Sequence, residues 1–138
     1  MKKYCYLFLI SMLLFSSCSF GFRNRLKQAD EVKIQFYGYN DDGRFIVLEK
    51  ILTDHEEIKE FSNFISARPA PSYKCGYNGE ISFYKDNKEI FHCRFNICKE
   101  CAHCTCYGFL FPDNRFLTSY GYNYLRPLYE TIDEKYIR

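Results

Sequence analysis

The sequence has 138 residues, the size of one ordinary domain, with 19 lysine and arginine residues against 17 aspartate and glutamate residues. This near-balance comes without basic clusters, so it gives no electrostatic case for a nucleic-acid partner. Aromatic residues make up 20% of the chain, with 13 tyrosines, 14 phenylalanines and no tryptophan. Such a composition favours an aromatic core and some tyrosines on a protein-contact surface.

The first 17 residues have the layout of a secretory leader. Lys2 and Lys3 precede an apolar run over residues 4–15, and Ser16 and Ser17 lead into Cys18. The run has about 12 residues, whereas a helix needs ~20 to span a bilayer. The pattern therefore predicts a cleaved leader over residues 1–17 and not a permanent transmembrane helix.

Phe15-Ser16-Ser17-Cys18 resembles the lipobox of bacterial lipoprotein precursors, which carry a type II signal peptide. The resemblance covers residues 1–18 only and departs from the usual pattern at Phe15 and Ser17, where leucine and a glycine or alanine are common. It implies that Cys18 becomes the first residue of the mature chain and carries lipid, including acyl chains such as palmitate. Two or more acyl chains hold a protein stably on a membrane. The alternative is an ordinary cleaved leader that leaves Cys18 as an unmodified thiol.

Removal of the leader leaves a chain that can support one hydrophobic core. Lys2 and Lys3 depart with the leader, so basic and acidic residues balance in the remainder. We expect residues 18–30 to form the lipidated cysteine and a short tether, and residues 31–138 to form a single domain.

The domain begins with a predicted β-hairpin. Residues 32–38 alternate apolar and polar, residues 40–43 have turn chemistry ending in Asp42-Gly43, and residues 44–52 form the returning strand. Thr53 and Glu56 fit a capping box, which predicts a helix near residues 54–67. Arg68-Pro69 disfavours its continuation.

Two further hairpins and a final helix follow. Residues 80–84 and 89–97 are predicted strands around a turn at 85–88, with Phe91, Cys93, Phe95 and Ile97 on one face. Residues 106–111 and 116–117 suggest a third hairpin around the turn 112–115. Apolar spacing predicts a helix near residues 124–136. The expected fold class is α+β: one antiparallel sheet of about six strands, in the order ββαββββα, with both helices on one face.

Six cysteines lie outside the leader and the lipobox. An even number of cysteines in an exported domain predicts disulfides, and six cysteines allow 15 pairings that sequence cannot distinguish. A bond from the loop at residues 69–79 to the later cluster would tie that loop to the third hairpin. The candidates are Cys75, Cys93, Cys98, Cys101, Cys104 and Cys106.

Metal binding or thiol-redox chemistry is the competing interpretation of the same cluster. Cys-x-x-Cys spacing and nearby imidazoles suit zinc, and thiolates also suit cuprous copper. The second Cys-x-x-Cys pair overlaps the first, whereas tetrahedral sites usually draw two ligands from each of two separate elements. Gly108 stands where a ferredoxin motif needs its fourth cysteine, and no histidine directly follows either pair as haem attachment requires. The ligands of this alternative are Cys98, Cys101, Cys104, Cys106, His92 and His103.

The sequence carries no recognisable catalytic constellation. It has no Gly-x-Ser-x-Gly motif, and its turn carboxylates are explained by backbone capping. We therefore expect no enzyme activity and no cofactor, with zinc or copper as the alternative. The predicted function is that of a lipid-anchored envelope protein that acts as a binding or structural module. Its expected partners are the membrane and a further envelope protein, through the loop 69–79, the segment 98–106, and Tyr73, Tyr77 and Tyr107.

Overall fold

A seven-stranded antiparallel sheet with helices packed against it forms the domain, as seen in a computed structural model that describes residues 22–107 and 113–137. The strands are β1 Glu31–Asn40, β2 Gly43–Leu52, β3 Ile65–Pro69, β4 Gly79–Lys85, β5 Lys88–Asn96, β6 His103–Tyr107 and β7 Asp113–Leu117. Their spatial order is β2-β1-β4-β5-β6-β7-β3. The helices are α1 (helical over residues 22–26), α2 His55–Phe61 and α3 Ser119–Glu130, followed by a 3₁₀ turn at Glu134–Tyr136. The predicted α+β class is confirmed, with one strand more than the expected six.

The first two predicted hairpins are confirmed. β1 pairs with β2 and β4 pairs with β5, both antiparallel. Gly43 closes the first turn with a φ of 121°, and Asp86 and Asn87 turn the second with φ of 51° and 59°. Two successive positive φ values match the two-residue turns whose twist suits a hairpin.

The core covers one face of the sheet. The face predicted for β5 is confirmed, because Phe91, Cys93 and Phe95 are buried while His92 and Arg94 are only half-buried. Phe61 of α2 stacks on Phe83 of β4 at 6.1 Å between ring centroids and contacts Tyr124 of α3 at 4.9 Å. Both helices therefore pack on the same face, with residues including Val32, Ile34, Phe36, Ile58, Ile81 and Leu125 between them and the sheet.

Helix α2 is shorter than predicted, and the residues after it form an unexpected strand. Its N-cap is Asp54, whose carboxylate accepts from the Glu57 N–H at 2.9 Å, and not Thr53. The Ser62 hydroxyl and the Asn63 amide donate to carbonyls of the last turn, which ends the helix by side-chain competition. Ile65–Pro69 then pairs with β7 at the edge of the sheet, where a proline is tolerated.

Helix α3 begins earlier than the predicted residue 124. The Thr118 hydroxyl caps it by accepting from the Gly121 N–H at 3.0 Å. Gly121 packs closely against the turn between α2 and β3. A Cβ at residue 121 would stand 2.3 Å from the Phe64 carbonyl oxygen. The helix ends at Glu130 and does not continue to the predicted residue 136, because the chain turns after Thr131 and Glu134–Tyr136 forms a separate 3₁₀ turn.

The segment expected to be a tether belongs to the domain from residue 22 onward. Leu26 and Ala29 are buried, and the Phe22 ring packs edge-to-face on Phe91 at 5.0 Å. Apolar residues that can reach the core are stabilised by burial, and residues before position 31 therefore contribute to the core. The predicted leader and Cys18 lie outside the described residues. No helix within the described ranges is long and apolar enough to cross a bilayer.

The third hairpin is shifted toward the N-terminus. β6 begins at His103 and β7 at Asp113, with His103 opposite Phe116, while residues 108–112 lie outside the described part. β6 is buried on both faces over its first four residues, because the loop before β4 covers the face that the helices do not. This double burial explains why no simple alternation marked the start of the strand.

Candidate functional site

A cleft with a volume of about 410 Å³ opens at one end of the sheet. It lies between β1, the loop before β4, the residues after β5, and α3. Its lining combines aromatic rings with amides and a single arginine: Tyr37, Tyr39, Tyr77, Asn78, Asn96, Arg126 and Tyr129, together with Gly76, Ile97 and Cys98. Its volume lies within the range of ~300–1,000 Å³ found for clefts that hold small organic ligands.

Two tyrosines of β1, Tyr37 and Tyr39, line the cleft. The register of β1 against β2 shifts between Phe36 and Tyr37, because β2 has one extra residue there, Val47, which makes a β-bulge. The Tyr37 N–H donates to the Asn78 carbonyl at 2.8 Å. This hydrogen bond joins β1 to the loop at the cleft.

Two asparagines fix the floor of the cleft. The Asn78 side-chain oxygen accepts from the Ile97 N–H at 2.9 Å. Asn96 is 6% exposed, and its amide nitrogen donates to the Gly76 carbonyl while its oxygen accepts from the Cys98 N–H at 2.7 Å. These side chains replace backbone partners that the irregular segments lack, so the cleft is pre-formed.

Tyr37 and Tyr129 are neutral groups in the cleft. Burial, reinforced by a 2.5 Å hydrogen bond to Glu80, raises the pKa of Tyr37 far above its ordinary value. Burial also raises the pKa of Tyr129. The Arg126 guanidinium is paired with Glu130 at 2.7 Å. The cleft thus offers ring faces, hydroxyls, amides and one compensated cation, which is the chemistry of binding more than of proton abstraction.

The three tyrosines predicted as a binding surface gather on the outer face of β6. Tyr73 packs on His103 at 4.9 Å between ring centroids, and Tyr107 stacks on His92 at 5.5 Å. The Tyr77 hydroxyl hydrogen-bonds the Thr105 hydroxyl at 2.8 Å. Of the three, only Tyr77 also lines the cleft. The nominated surface and the cleft therefore share Tyr77.

The six cysteines within the described residues fall into two groups and are all unpaired. The core cysteine group is Cys93, Cys104 and Cys106, each 3% exposed or less, on the helix-covered face of β5 and β6. Cys93 lies directly opposite Cys106 in the β5–β6 register. Burial raises the pKa of each of these thiols, so they remain protonated and unreactive in the folded protein.

The outer cysteine group is Cys75, Cys98 and Cys101, beside the cleft. The Cys101 thiol adjoins both Cys75 and Cys98, and its Sγ lies 3.5 Å from the Asn96 side-chain oxygen. Burial, followed by the contacts with the two neighbouring thiols, raises the pKa of Cys101 to about 12. The structure therefore places Cys75 next to the later cluster, where a bond would tie the loop down.

The residues of the alternative metal site lie apart. Cys104 and Cys106 point into the core, whereas His92 pairs with Glu80 on the opposite face, at 3.6 Å between Nε2 and the carboxylate. His103 Nδ1 is 2.6 Å from the Cys101 carbonyl oxygen. Over residues 22–107 and 113–137, no three histidine, cysteine or acidic side chains meet as a metal site would require.

Sequence reasoning missed most of the cleft. The sequence patterns place Tyr37 and Asn96 in strands and Tyr129 in a helix, and they assign no site role to these residues. The predicted binding surface does include part of the cleft lining, namely Tyr77, its neighbours in the loop 69–79, and Cys98. Comparisons with models of protein families, with curated proteins and with solved structures found no match. Function is therefore inferred from the geometry of the chain itself.

Proposed function

We propose that this protein is a lipid-anchored protein of the bacterial cell envelope whose domain binds a ligand in the tyrosine-lined cleft. The proposal rests on the cleft, which has a volume of about 410 Å³. Four tyrosines, two hydrogen-bonded asparagines and an arginine line it. Rigid, pre-formed sites bind well because little conformational entropy is lost on association. The predicted leader over residues 1–17 and the lipobox-like segment ending at Cys18 support a location in the cell envelope.

The lining indicates the chemistry of the ligand. Ring faces of Tyr39 and Tyr129 would pack on a flat apolar surface, and the side-chain nitrogen of Asn78 would donate to hydroxyl or carbonyl groups. Arg126 favours a ligand with a hydroxyl or carboxylate at that end. A small polar molecule with one apolar face, such as a sugar or a short peptide end, fits this description.

The outer cysteine group lies where a disulfide would hold the loop before β4 in place. In an exported protein, a bond between Cys75 and Cys101 would fix the loop before β4 against the segment after β5, and both segments line the cleft. The constraint would act mainly by restricting the unfolded chain, with a contribution of ~2–4 kcal/mol to stability.

A matched pair of tyrosine truncations tests the cleft. Two-dimensional NMR of the isotope-labelled protein would be recorded with a panel of monosaccharides, disaccharides and dipeptides. We expect at least one panel member to shift the amide signals of Asn78 and Cys98. Tyr129→Ala should weaken that binding at least tenfold, whereas Tyr73→Ala, an equally half-buried tyrosine outside the cleft, should leave it unchanged. Loss of binding in Tyr73→Ala with retention in Tyr129→Ala would place the site elsewhere.

A further inference from the structure

Three cysteines from two separate segments lie beside the cleft, and one of them, Cys98, lines it. Cys75 comes from the loop before β4, and Cys98 and Cys101 come from the connection between β5 and β6. Cys101 is the shared member, since its thiol adjoins both of the others. The Asn96 side-chain oxygen accepts from the Cys98 N–H and contacts Cys101 Sγ, so one buried side chain holds the turn that carries both cysteines.

The three thiols differ in access. Cys98 is exposed, Cys75 is half-buried and Cys101 is 7% exposed. The Cys101 N–H donates to the Cys98 carbonyl at 3.0 Å, which closes a tight turn between them. A dissolved disulfide can therefore reach Cys98 but not Cys101, which is reached only from its two neighbours.

An odd number of thiols has a chemical consequence. A disulfide within the outer cysteine group leaves one thiol beside it, and a thiol beside a disulfide can exchange with it. The core cysteine group also has three thiols, but its members are 3% exposed or less and no dissolved disulfide reaches them. Exchange is therefore confined to the outer group.

We propose that the outer cysteine group is a thiol–disulfide exchange site, in which Cys98 accepts a disulfide from an external donor and passes it through Cys101 to Cys75. The partner is any small or protein disulfide, written RS–SR. The inference does not depend on ligand binding in the cleft.

The exchange runs in three balanced steps. The Cys98 thiolate attacks RS–SR, a bond forms between Cys98 and one SR group, and the other leaves as a thiolate that takes up a proton. Cys101 then attacks the Cys98 sulfur, so that the Cys98–Cys101 disulfide forms and the second RS⁻ leaves. Cys75 finally attacks the Cys101 sulfur, the Cys75–Cys101 bond forms, and Cys98 leaves as a thiolate. In sum, RS–SR is reduced to two thiols, Cys75 and Cys101 are oxidised, and Cys98 is regenerated.

Burial sets the slow step. The thiolate is the attacking species in disulfide exchange, and burial keeps Cys101 protonated at neutral pH. The second step, in which Cys101 is the nucleophile, should therefore be the slowest and should accelerate as the pH rises. In the third step Cys101 is the group attacked, so its protonation no longer matters.

The test follows the disulfides formed by reduced protein, purified in detergent from its native host, after addition of glutathione disulfide. Samples are quenched in acid at intervals, alkylated and mapped by peptide mass spectrometry. Wild type should end with a Cys75–Cys101 disulfide and a free Cys98. Cys101→Ser should stop at Cys98 bonded to glutathione, and Cys75→Ser should stop at the Cys98–Cys101 disulfide.

The entry role of Cys98 is tested by its removal. Cys98 is exposed, so Cys98→Ser should fold normally, as checked by circular dichroism, and should form the Cys75–Cys101 disulfide at least tenfold more slowly. Cys106→Ala, in the core group, serves as the control and should keep the wild-type rate. An unchanged rate in Cys98→Ser, or a wild-type end state with Cys101 joined to Cys93, Cys104 or Cys106, would overturn the proposal.

Discussion

Asn96 is the residue on which both the cleft and the outer cysteine group depend. Its side chain is buried and contacts three groups in two segments: the carbonyl of Gly76, the N–H of Cys98 and the thiol of Cys101. A strand ends here and an irregular loop passes over it, so their polar backbone groups need side-chain partners. Asn96 supplies a donor and an acceptor from one amide.

Removal of this amide should destabilise the domain. Asn96→Ala removes hydrogen bonds to the Gly76 carbonyl and the Cys98 N–H, both partly buried, and each such bond contributes ~0.5–1.5 kcal/mol net. We expect a loss of about 1–3 kcal/mol in the free energy of unfolding, measured by urea denaturation. Asn63→Ala is the control, because Asn63 is exposed and makes one bond at a helix end. Equal losses in the two variants would show that Asn96 has no special structural role.

At the scale of elements, the docking of α3 depends on a close backbone approach. A Cβ at residue 121 would lie 2.3 Å from the Phe64 carbonyl oxygen, which belongs to the backbone and cannot rotate away. The contact places α3 against the turn between α2 and β3. That turn also fixes Thr118, whose hydroxyl donates to the Asn63 carbonyl at 2.7 Å.

Gly121→Ala should therefore push α3 away from the sheet. Overpacking of this kind costs ~1–3 kcal/mol. The shift should also widen the cleft, since Arg126 and Tyr129 belong to the same helix. Gly76→Ala is a matched control, because nothing lies within 4 Å of its added methyl group. Thermal unfolding distinguishes the two, and a Gly121→Ala variant as stable as Gly76→Ala would contradict this account of helix docking.

The segment before β1 is held to the β4–β5 turn by Asp30. Its carboxylate accepts from the Asp86 N–H at 3.0 Å and lies 3.5 Å from the Lys85 ammonium group. The Asp86 hydrogen bond, followed by the charge of Lys85, holds the pKa of Asp30 below its ordinary value of 3.8. A carboxylate with a lowered folded-state pKa stabilises the fold above its unfolded-state pKa, and this stabilisation is lost as the pH falls through the folded value.

Asp30→Asn should thus be less stable than wild type at pH about 6, and the difference should shrink as the pH falls below about 4. Urea denaturation at a series of pH values measures it. Lys85→Met keeps the Asp86 hydrogen bond, the larger cause of the shift, and should retain most of the acid dependence. If Lys85→Met instead abolished that dependence, the ion pair would be the main cause.

At the scale of the whole molecule, local patterns predicted the hairpins and missed what depends on distant contacts. Alternation in β5 and turn chemistry at Asp42-Gly43 are encoded within a few residues, so both were predicted correctly. Strand β3 exists because β7 offers it a partner, and α3 begins directly after Thr118 because hydrogen bonds to Asn63 and Phe64 fix that residue. The core cysteine group is set by the strand faces that point into the core, and the outer group is set by the loop that brings Cys75 next to Cys101. Both depend on tertiary structure, so cysteine spacing alone could not separate the two groups.

The described domain begins only a few residues after the proposed lipidation site. The chain is helical at residue 22, four residues after Cys18. Four residues span at most about 14 Å when fully extended, at ~3.3–3.6 Å each. On the proposed anchoring, α1 would therefore lie near the membrane surface, and the short connection would restrict how the cleft can face its ligand.

The anchor is tested most directly by mass spectrometry of the N-terminal peptide from protein extracted from membranes of the native host. We expect the peptide to begin at Cys18 and to carry the mass of attached acyl chains, and Cys18→Ala to abolish both the lipid mass and the membrane association. A chain recovered with Met1 at its terminus, or cleaved with Cys18 unmodified, would contradict the proposed lipid anchor.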